Sequence, residues 1–345
     1  MTADSNPGPT RRGFLAGGAL LGVAGATFGA RQLAGAAPLH SEESHSHGVM
    51  SGATFRGSGV VDPAINGFDP TKILRDFDYG KVSTLPNGRT LREWTVTASD
   101  KDIEIAPGVK FPSWLFNGRT PGPTLRATEG DRLRIRFINN SKHPHTMHFH
   151  SIHPSEMDGV PGQGAGLVAP GSETTYEIDA EPFGFHLYHC HANPLAEHIA
   201  RGMYAGLIID PDGGRPDADE MVMIQNGWNT TFDGEGNQMY AVNAIPFHYM
   251  YAPIQVKKNK LVRIYLGNML EYDPINSFHL HANFFKYYPT GTSLVHSEFT
   301  DTIIQGQGQR GILEVTFPFA GKFMFHAHKS EFADLGWMGF FEVTE

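Results

Sequence analysis

The chain has 345 residues, of which 40% are hydrophobic, a formal net charge of −9 and a single cysteine. This length and apolar content predict two globular domains and exclude a mainly disordered chain. The acidic balance, without a basic run beyond the extreme N-terminus, argues against a nucleic-acid partner, and one cysteine excludes an intrachain disulfide.

Residues 1–36 have the features of an export signal. Arg11 and Arg12 precede a Gly/Ala/Leu run that reaches Gly29, and small residues follow at 34–36. The pattern resembles a twin-arginine signal peptide and contains no stop-transfer sequence. It predicts export of the folded protein to the periplasm, cell envelope or outside of the cell, with no membrane span in the mature chain.

Residues 37–90 are predicted to form a partly flexible N-terminal extension. Its first part is polar and carries three histidines, His40, His45 and His47, without an apolar period. Such a tail is typical of a flexible linker, and a role in gathering copper is the alternative.

From about Leu91 the chain alternates short apolar runs with Gly, Pro and Asn, as in 132–137 and 174–178. No long 3.6-residue period occurs. The pattern predicts an all-β fold of the sandwich or barrel type.

The chain also repeats itself. Residues 125–139 align with 254–268 at a constant offset, each as a strand, a Gly or Asn turn, and a strand that ends in Asn. A turn-rich linker at 210–216 separates the two copies. We therefore predict two homologous β-domains, 91–212 and 213–345.

Each predicted domain carries two His-x-His pairs in equivalent places. Residues two apart on a β-strand point to the same face, so each pair presents two imidazoles together. One pair is a weak signal, but eight imidazoles suffice for three metal ions, and an all-histidine shell favours copper, with zinc as the competitor. The pairs are His148/His150, His189/His191, His279/His281 and His326/His328.

The single cysteine stands between the two histidines of one pair, in the triplet His189-Cys190-His191. On a strand its thiol faces away from both imidazoles, so one strand would serve two metal sites. Two histidines, a thiolate and a long axial methionine make a mononuclear blue-copper site. Loop position and strand parity predict its ligands as His145, Cys190, His198 and Met203. The second copy has Asn276 and Ala327 in the matching slots and cannot hold this site.

Three stretches together resemble the two-domain multicopper oxidases, the small laccase-like branch of the cupredoxin superfamily with a blue copper in the first domain only. They are 117–131, the stretch 145–150 with its three histidines, and 189–191. The resemblance runs from about Leu91 to the C-terminus and implies two cupredoxin-like Greek-key β-barrel or sandwich domains. It also implies a homotrimer whose trinuclear copper site lies between the first domain of one subunit and the second domain of the next.

The resemblance assigns a role to each metal ligand. The type 2 copper is expected on His148 and His279, and the type 3 pair on His150, His189, His191, His281, His326 and His328. With the type 1 site, this makes about four copper ions per subunit. Asp158 resembles the family's acidic residue beside the cluster and is expected to be the catalytic proton donor, acting through water; a turn Asp before Gly is the alternative.

The expected activity is one-electron oxidation of phenols, aromatic amines or metal ions, coupled to four-electron reduction of dioxygen to water. Copper nitrite reductase is the first alternative, because the loop from Cys190 to Met203 and the segment 332–343 look more like that enzyme than like large laccases. Nitrite reductases, however, carry Asp where this chain has His148, and they lack an equivalent of His191. A copper-binding or electron-transfer protein without turnover is the second alternative, but such a protein needs only the Cys190 site.

Overall fold

The computed structural model of the protein describes residues 59–345. The predicted signal peptide and the histidines of the polar tail lie outside the described residues. Strands dominate and every helix is short, so the all-β prediction is confirmed. Within residues 59–345, no helix is both long and apolar enough to span a membrane.

Strands β1–β10 build the first domain as two sheets. One sheet has the order β1-β5-β10-β9-β7, and the other has the order β2-β3-β6-β8 with β4 paired to β3. The strands are β1 Phe77–Asp78, β2 Lys81–Thr84, β3 Thr90–Ala106, β4 Val109–Phe116, β5 Thr124–Thr128, β6 Arg132–Asn139, β7 His148–Phe149, β8 Glu173–Asp179, β9 Gly184–His189 and β10 Tyr204–Asp210.

Strands β11–β21 build the second domain, again as two sheets. Their orders are β12-β11-β14-β19-β16-β17 and β13-β21-β20-β15-β18. The strands are β11 Asp219–Trp228, β12 Met239–Val242, β13 Ile254–Lys257, β14 Leu261–Asn268, β15 Ile275–Leu280, β16 Phe285–Pro289, β17 Glu298–Thr300, β18 Thr302–Gly306, β19 Arg310–Thr316, β20 Gly321–His326 and β21 Met338–Thr344.

The helices are short and lie in the connections between strands. They are α1 Pro63–Asn66, α2 Pro70–Ile73, α3 Leu195–Ala200, α4 His248–Tyr251 and α5 Ser330–Asp334, with one 3₁₀ turn at Ser155–Met157. Helices α1 and α2 precede the sheets, and the buried Asn66 ties this segment to β3 by two hydrogen bonds with the Glu104 backbone. The described part of the predicted N-terminal extension packs on both domains, because Leu74 belongs to the apolar core of the second domain, and it supplies β1 and β2.

Strand β6 illustrates why these segments form sheets. Leu133, Ile135 and Phe137 are fully buried, whereas the arginines between them point outward. One of these, Arg134, pairs with Glu177 on the neighbouring β8. Each buried apolar side chain stabilises the fold by roughly 1.5–3 kcal/mol, so the period of two selects one face for the core.

The repeat seen in the sequence folds alike in both domains. Strands β5 and β6 in the first copy correspond to β13 and β14 in the second. Each copy ends in a fully buried asparagine, Asn139 or Asn268, whose side chain hydrogen-bonds to nearby backbone groups. These side chains hold the loop that precedes the first His-x-His pair of each domain.

The two domains share an apolar cluster. Phe185 and Leu187 of β9 pack with Ile224, Tyr265 and Ile312 of the second domain. Strand β9 ends at His189, the first residue of the predicted metal-binding triplet, so this interdomain packing fixes the position of the triplet.

Candidate metal centres

Three donor atoms converge in the first domain. Cys190 Sγ lies 3.2 Å from His198 Nδ1 and 3.6 Å from His145 Nδ1, and the two nitrogens are 3.1 Å apart. All three side chains are buried. Such spacings fit donors that share one ion with bonds of about 2.0–2.3 Å.

Different elements supply the members of this donor set. Cys190 follows β9 directly, His198 lies in α3, and His145 forms an isolated bridge with Val168. Met203, also fully buried, is tied to the set through its backbone: its carbonyl accepts from Cys190 N at 3.0 Å, and its N–H donates to the His198 carbonyl at 3.3 Å.

Ser141 determines which nitrogen of His145 is free to bind a metal. The Ser141 hydroxyl donates to Asp100 Oδ1 at 3.0 Å and lies 2.9 Å from His145 Nε2. Because its only hydrogen is committed to Asp100, the hydroxyl accepts from His145 Nε2–H. The Nδ1 lone pair therefore faces Cys190 Sγ, as a ligand requires.

Burial keeps the donors of this set neutral. It lowers the pKa of His145 to about 3, helped by the neighbouring His198, and the pKa of His198 to about 4. Burial also raises the pKa of the Cys190 thiol to about 11. Neutral imidazole is the form that binds a metal, and the thiol must release its proton to the solvent when an ion is bound. The backbone N–H of Thr146 donates to Sγ at 3.3 Å.

A second group of donor residues in the first domain consists of its two His-x-His pairs. The ring centroid of His148 lies 5.2–5.3 Å from those of His150, His189 and His191. The Nε2 atoms of His150 and His189 are 3.0 Å apart. His189 Nδ1 donates to the Cys190 carbonyl at 2.8 Å, so its Nε2 carries the lone pair. Cys190 therefore faces one donor group while its two neighbouring histidines join another.

The second domain repeats this arrangement. The ring centroid of His279 lies 5.0–5.3 Å from those of His281, His326 and His328. The Nε2 atoms of His281 and His326 are 3.0 Å apart, and His326 Nδ1 donates to the Ala327 carbonyl at 2.7 Å. His281 is exposed and His279 half-buried, so the group opens to the protein surface.

The two four-histidine groups stay separate within one chain. Across residues 59–345, no hydrogen bond or ring contact joins a histidine of the first group to one of the second. Each group presents one half of the ligand set that the sequence predicts for three metal ions.

Asp158 is bonded to a histidine of the first group. Its Oδ1 accepts from His148 Nδ1 at 2.8 Å, and its backbone carbonyl lies 3.0 Å from the same nitrogen. His153 Nε2 approaches Oδ1 at 3.5 Å. Gly159 permits the close approach of this loop, because a Cβ there would lie 2.0 Å from the Met147 carbonyl oxygen, and its φ of +68° lies in the left-handed region that glycine adopts without strain.

Two of the other first-domain histidines, His143 and His186, stay outside these groups, whereas the ring centroid of His153 lies 5.5 Å from that of His148. His143 is exposed, and its ring centroid lies 6.4 Å from that of His145, so it is not a member of the Cys190 donor set. His186 is buried and contacts the Pro182 carbonyl. His153 was not predicted as a site residue, because its approach to Asp158 depends on the path of the loop after β7.

A cleft of about 440 Å³ opens beside His198. We call it the donor cleft; its lining includes Trp114, His143, Pro144, Glu197, His198 and Arg201. The Trp114 ring centroid lies 4.5 Å from that of His198 and 5.4 Å from that of His145. The Arg201 guanidinium lies 4.7 Å above the same indole. Trp114 thus joins the floor of the cleft to both imidazoles of the Cys190 set, a role that no local motif signals.

Comparison with known proteins places the chain among copper proteins. Two family models, both described as multicopper oxidase, match residues 97–214 and 216–345. A solved multicopper oxidase is 65% identical with a TM-score of 0.81, covering 83% of this chain and all of that one. The copper nitrite reductase of Nitrosomonas europaea is 28% identical with a TM-score of 0.67, covering 74% of this chain and 94% of that one.

Curated relatives include both oxidases and reductases. The copper-containing nitrite reductase of Neisseria gonorrhoeae is 29% identical over 253 residues, which span 66% of this chain and 62% of the relative. Laccase-2 of Botryotinia fuckeliana is 34% identical over 137 residues, which span 39% of this chain and 23% of that enzyme. The chain thus spans about three fifths of the length of the nitrite reductase.

Proposed function

The chain belongs to the multicopper oxidase family, and on that premise we propose that it is a laccase-like enzyme that oxidises small donors and reduces dioxygen to water. The donor is a phenol, an aromatic amine or a metal ion. The observation that carries the proposal is the pair of four-histidine groups, because a nitrite reductase or an electron carrier does not need two groups of four imidazoles.

The residues present fit the copper ions that the family implies. His145, Cys190, His198 and Met203 would hold the type 1 ion, His148 and His279 the type 2 ion, and the type 3 pair would be held by His150, His189, His191, His281, His326 and His328. Bound copper supplies the chemistry: it takes single electrons from the donor and passes four of them to dioxygen.

The chain itself connects the two kinds of centre. Cys190 is covalently joined to His189 and His191, and the hydrogen bond from His189 Nδ1 to the Cys190 carbonyl adds a second connection. At the donor side, His198 lines the cleft and packs against Trp114. A donor bound in the cleft is thereby brought within contact of a ligand of the type 1 ion.

We further propose a homotrimer with trinuclear sites between subunits. The support is the separation of the two four-histidine groups within one chain and the exposure of His281. A head-to-tail contact that joins the first domain, 91–212, of one subunit to the second domain, 213–345, of the next closes into a ring. The twin-arginine pattern at 1–36 supports export of this assembly to the periplasm, cell envelope or medium.

Nitrite reduction is the second candidate function, because nitrite reductases are among the relatives. Against it stand His148 and His191, which complete the first four-histidine group.

One experiment distinguishes dioxygen reduction from nitrite reduction. The protein is supplied with an aromatic amine or phenol donor and dioxygen, and separately with the same donor and nitrite under argon. We expect oxygen uptake with four donors oxidised per dioxygen and no released peroxide. Nitric oxide formation with negligible oxygen uptake would reverse the assignment.

Asp158 is proposed to orient His148 and to pass protons to the reacting oxygen through water. Asp158→Asn keeps an oxygen that can accept from His148 Nδ1 but removes the titrating carboxylate. We expect oxygen turnover to fall about a hundredfold with copper content retained. Steady-state oxygen uptake and copper analysis of the same sample measure this.

The matched control is Asp301→Asn in the second domain. Asp301 accepts from His279 Nδ1 only through its backbone carbonyl, at 3.1 Å, whereas its carboxylate accepts from the Thr302 hydroxyl at 3.1 Å and does not contact the imidazole itself. We expect Asp301→Asn to retain turnover. Equal turnover in Asp158→Asn and the parent would contradict the proton-donor role.

A further inference from the structure

A second cleft, of about 290 Å³, lies where α3 meets the loop that follows β11. It shares Glu197 and Arg201 with the donor cleft, but the rest of its lining is different. We call it the interdomain cleft; its distinguishing residues are Phe111, Asn229, Phe232, Asp233 and Tyr272.

Aromatic rings form one side of the interdomain cleft. Phe232 is 54% exposed and stacks on the buried Phe111, with ring centroids 5.3 Å apart. Its φ of +58° is a strained conformation for an aromatic residue, and such strain concentrates at ligand sites. The Arg201 guanidinium already lies 5.2 Å from the Phe232 ring, so this ring accepts a cation.

One of the two carboxylates in the interdomain cleft has no positively charged partner. Glu197 is paired with Arg201 at 2.8 Å, whereas Asp233 has no salt bridge within residues 59–345. Asp233 Oδ1 accepts from Asn229 Nδ2 at 2.9 Å and from Glu235 N at 3.0 Å. Hydrogen bonds, first that from Asn229, lower the pKa of Asp233, so the carboxylate is ionised at neutral pH.

Asn229 adds an unused acceptor to the same cleft. It is only 4% exposed, and its Oδ1 has no hydrogen-bond partner. A buried acceptor without a donor destabilises the folded chain unless a ligand or water satisfies it. The cleft therefore offers an ionised carboxylate and exposed ring edges to one occupant, and its wall contains the unsatisfied Asn229 Oδ1.

We propose that the interdomain cleft binds a small aromatic cation. Its ring packs against the edges of Phe232 and Tyr272, and its ammonium group pairs with Asp233, beside Asn229. The site adjoins the donor cleft, with which it shares Glu197 and Arg201, and it does not depend on the proposed oxidase activity.

The test uses the full-length, copper-loaded protein and benzylammonium as a probe, measured by isothermal titration calorimetry. We expect saturable binding with one site per chain and no binding of benzoate. Asp233→Asn and Phe232→Gly should each weaken binding about fivefold or more. Glycine tolerates the positive φ at position 232, so the second variant removes the ring without straining the loop.

The control is Asp212→Asn, which neutralises an exposed carboxylate outside the cleft and should leave binding unchanged. The absence of saturable binding to the parent would overturn the proposal. So would binding that is lost in His143→Ala and retained in Asp233→Asn, because the probe would then occupy the donor cleft. Because the titration involves no turnover, either result is independent of whether the protein reduces dioxygen.

Discussion

Replacing Cys190 with serine is expected to abolish the blue absorption band and to lower donor oxidation at least about a thousandfold. Serine has nearly the same shape, so the fold and the hydrogen bond from Cys190 N to the Met203 carbonyl should persist. What is lost is the thiolate, the one soft donor among His145 Nδ1, His198 Nδ1 and Sγ. Visible absorption, copper analysis and donor turnover on one preparation measure the effect.

The matched control is Ala327→Ser, which introduces the same side chain at the corresponding position of the second domain, between His326 and His328. It should keep the blue band. A Cys190→Ser variant that retains the band, or that oxidises donors at the parental rate, would show that this cysteine does not bind the electron-accepting ion.

The second large effect concerns the division of the trinuclear site between subunits. We expect His148→Ala/His150→Ala and the equivalent His279→Ala/His281→Ala to reduce oxygen turnover below about one thousandth of the parental rate. Each double variant destroys one half-site and leaves the other intact. In a head-to-tail trimer assembled from equal amounts of both, about a quarter of the interfaces combine two intact halves.

A mixture of the two double variants should therefore recover about a quarter of the oxygen turnover of the unsubstituted protein, although each variant alone is inactive. Each double variant refolded alone is the control and should stay inactive. A mixed sample that forms trimers and remains inactive would show that each site is built within one chain, contrary to the proposal.

Strand alternation predicted the all-β fold because burial on one face of a strand leaves a period of two in the sequence. The same parity anticipated that Cys190 and its flanking histidines face different groups, and the structure places Cys190 with His145 and His198. Strands β1 and β2 escaped prediction because they are only two and four residues long.

The surroundings of the ligands depend on tertiary contacts that no local pattern records. Trp114 reaches His198 only because the β3–β4 hairpin folds over α3. His153 approaches Asp158 through a loop without regular structure, apart from one 3₁₀ turn. Ser141, in the loop after β6, orients His145, and its own hydroxyl is fixed by a hydrogen bond to Asp100 on β3.

The central claim is that this chain builds a trinuclear site in addition to the site at Cys190. Its most direct test is the copper content of the purified, copper-loaded protein, with the visible and electron spin resonance spectra of the same sample. We predict about four copper ions per chain, a blue band, and a pair of ions that is silent in spin resonance. About two ions per chain, both visible in spin resonance, would contradict the claim and favour nitrite as the substrate.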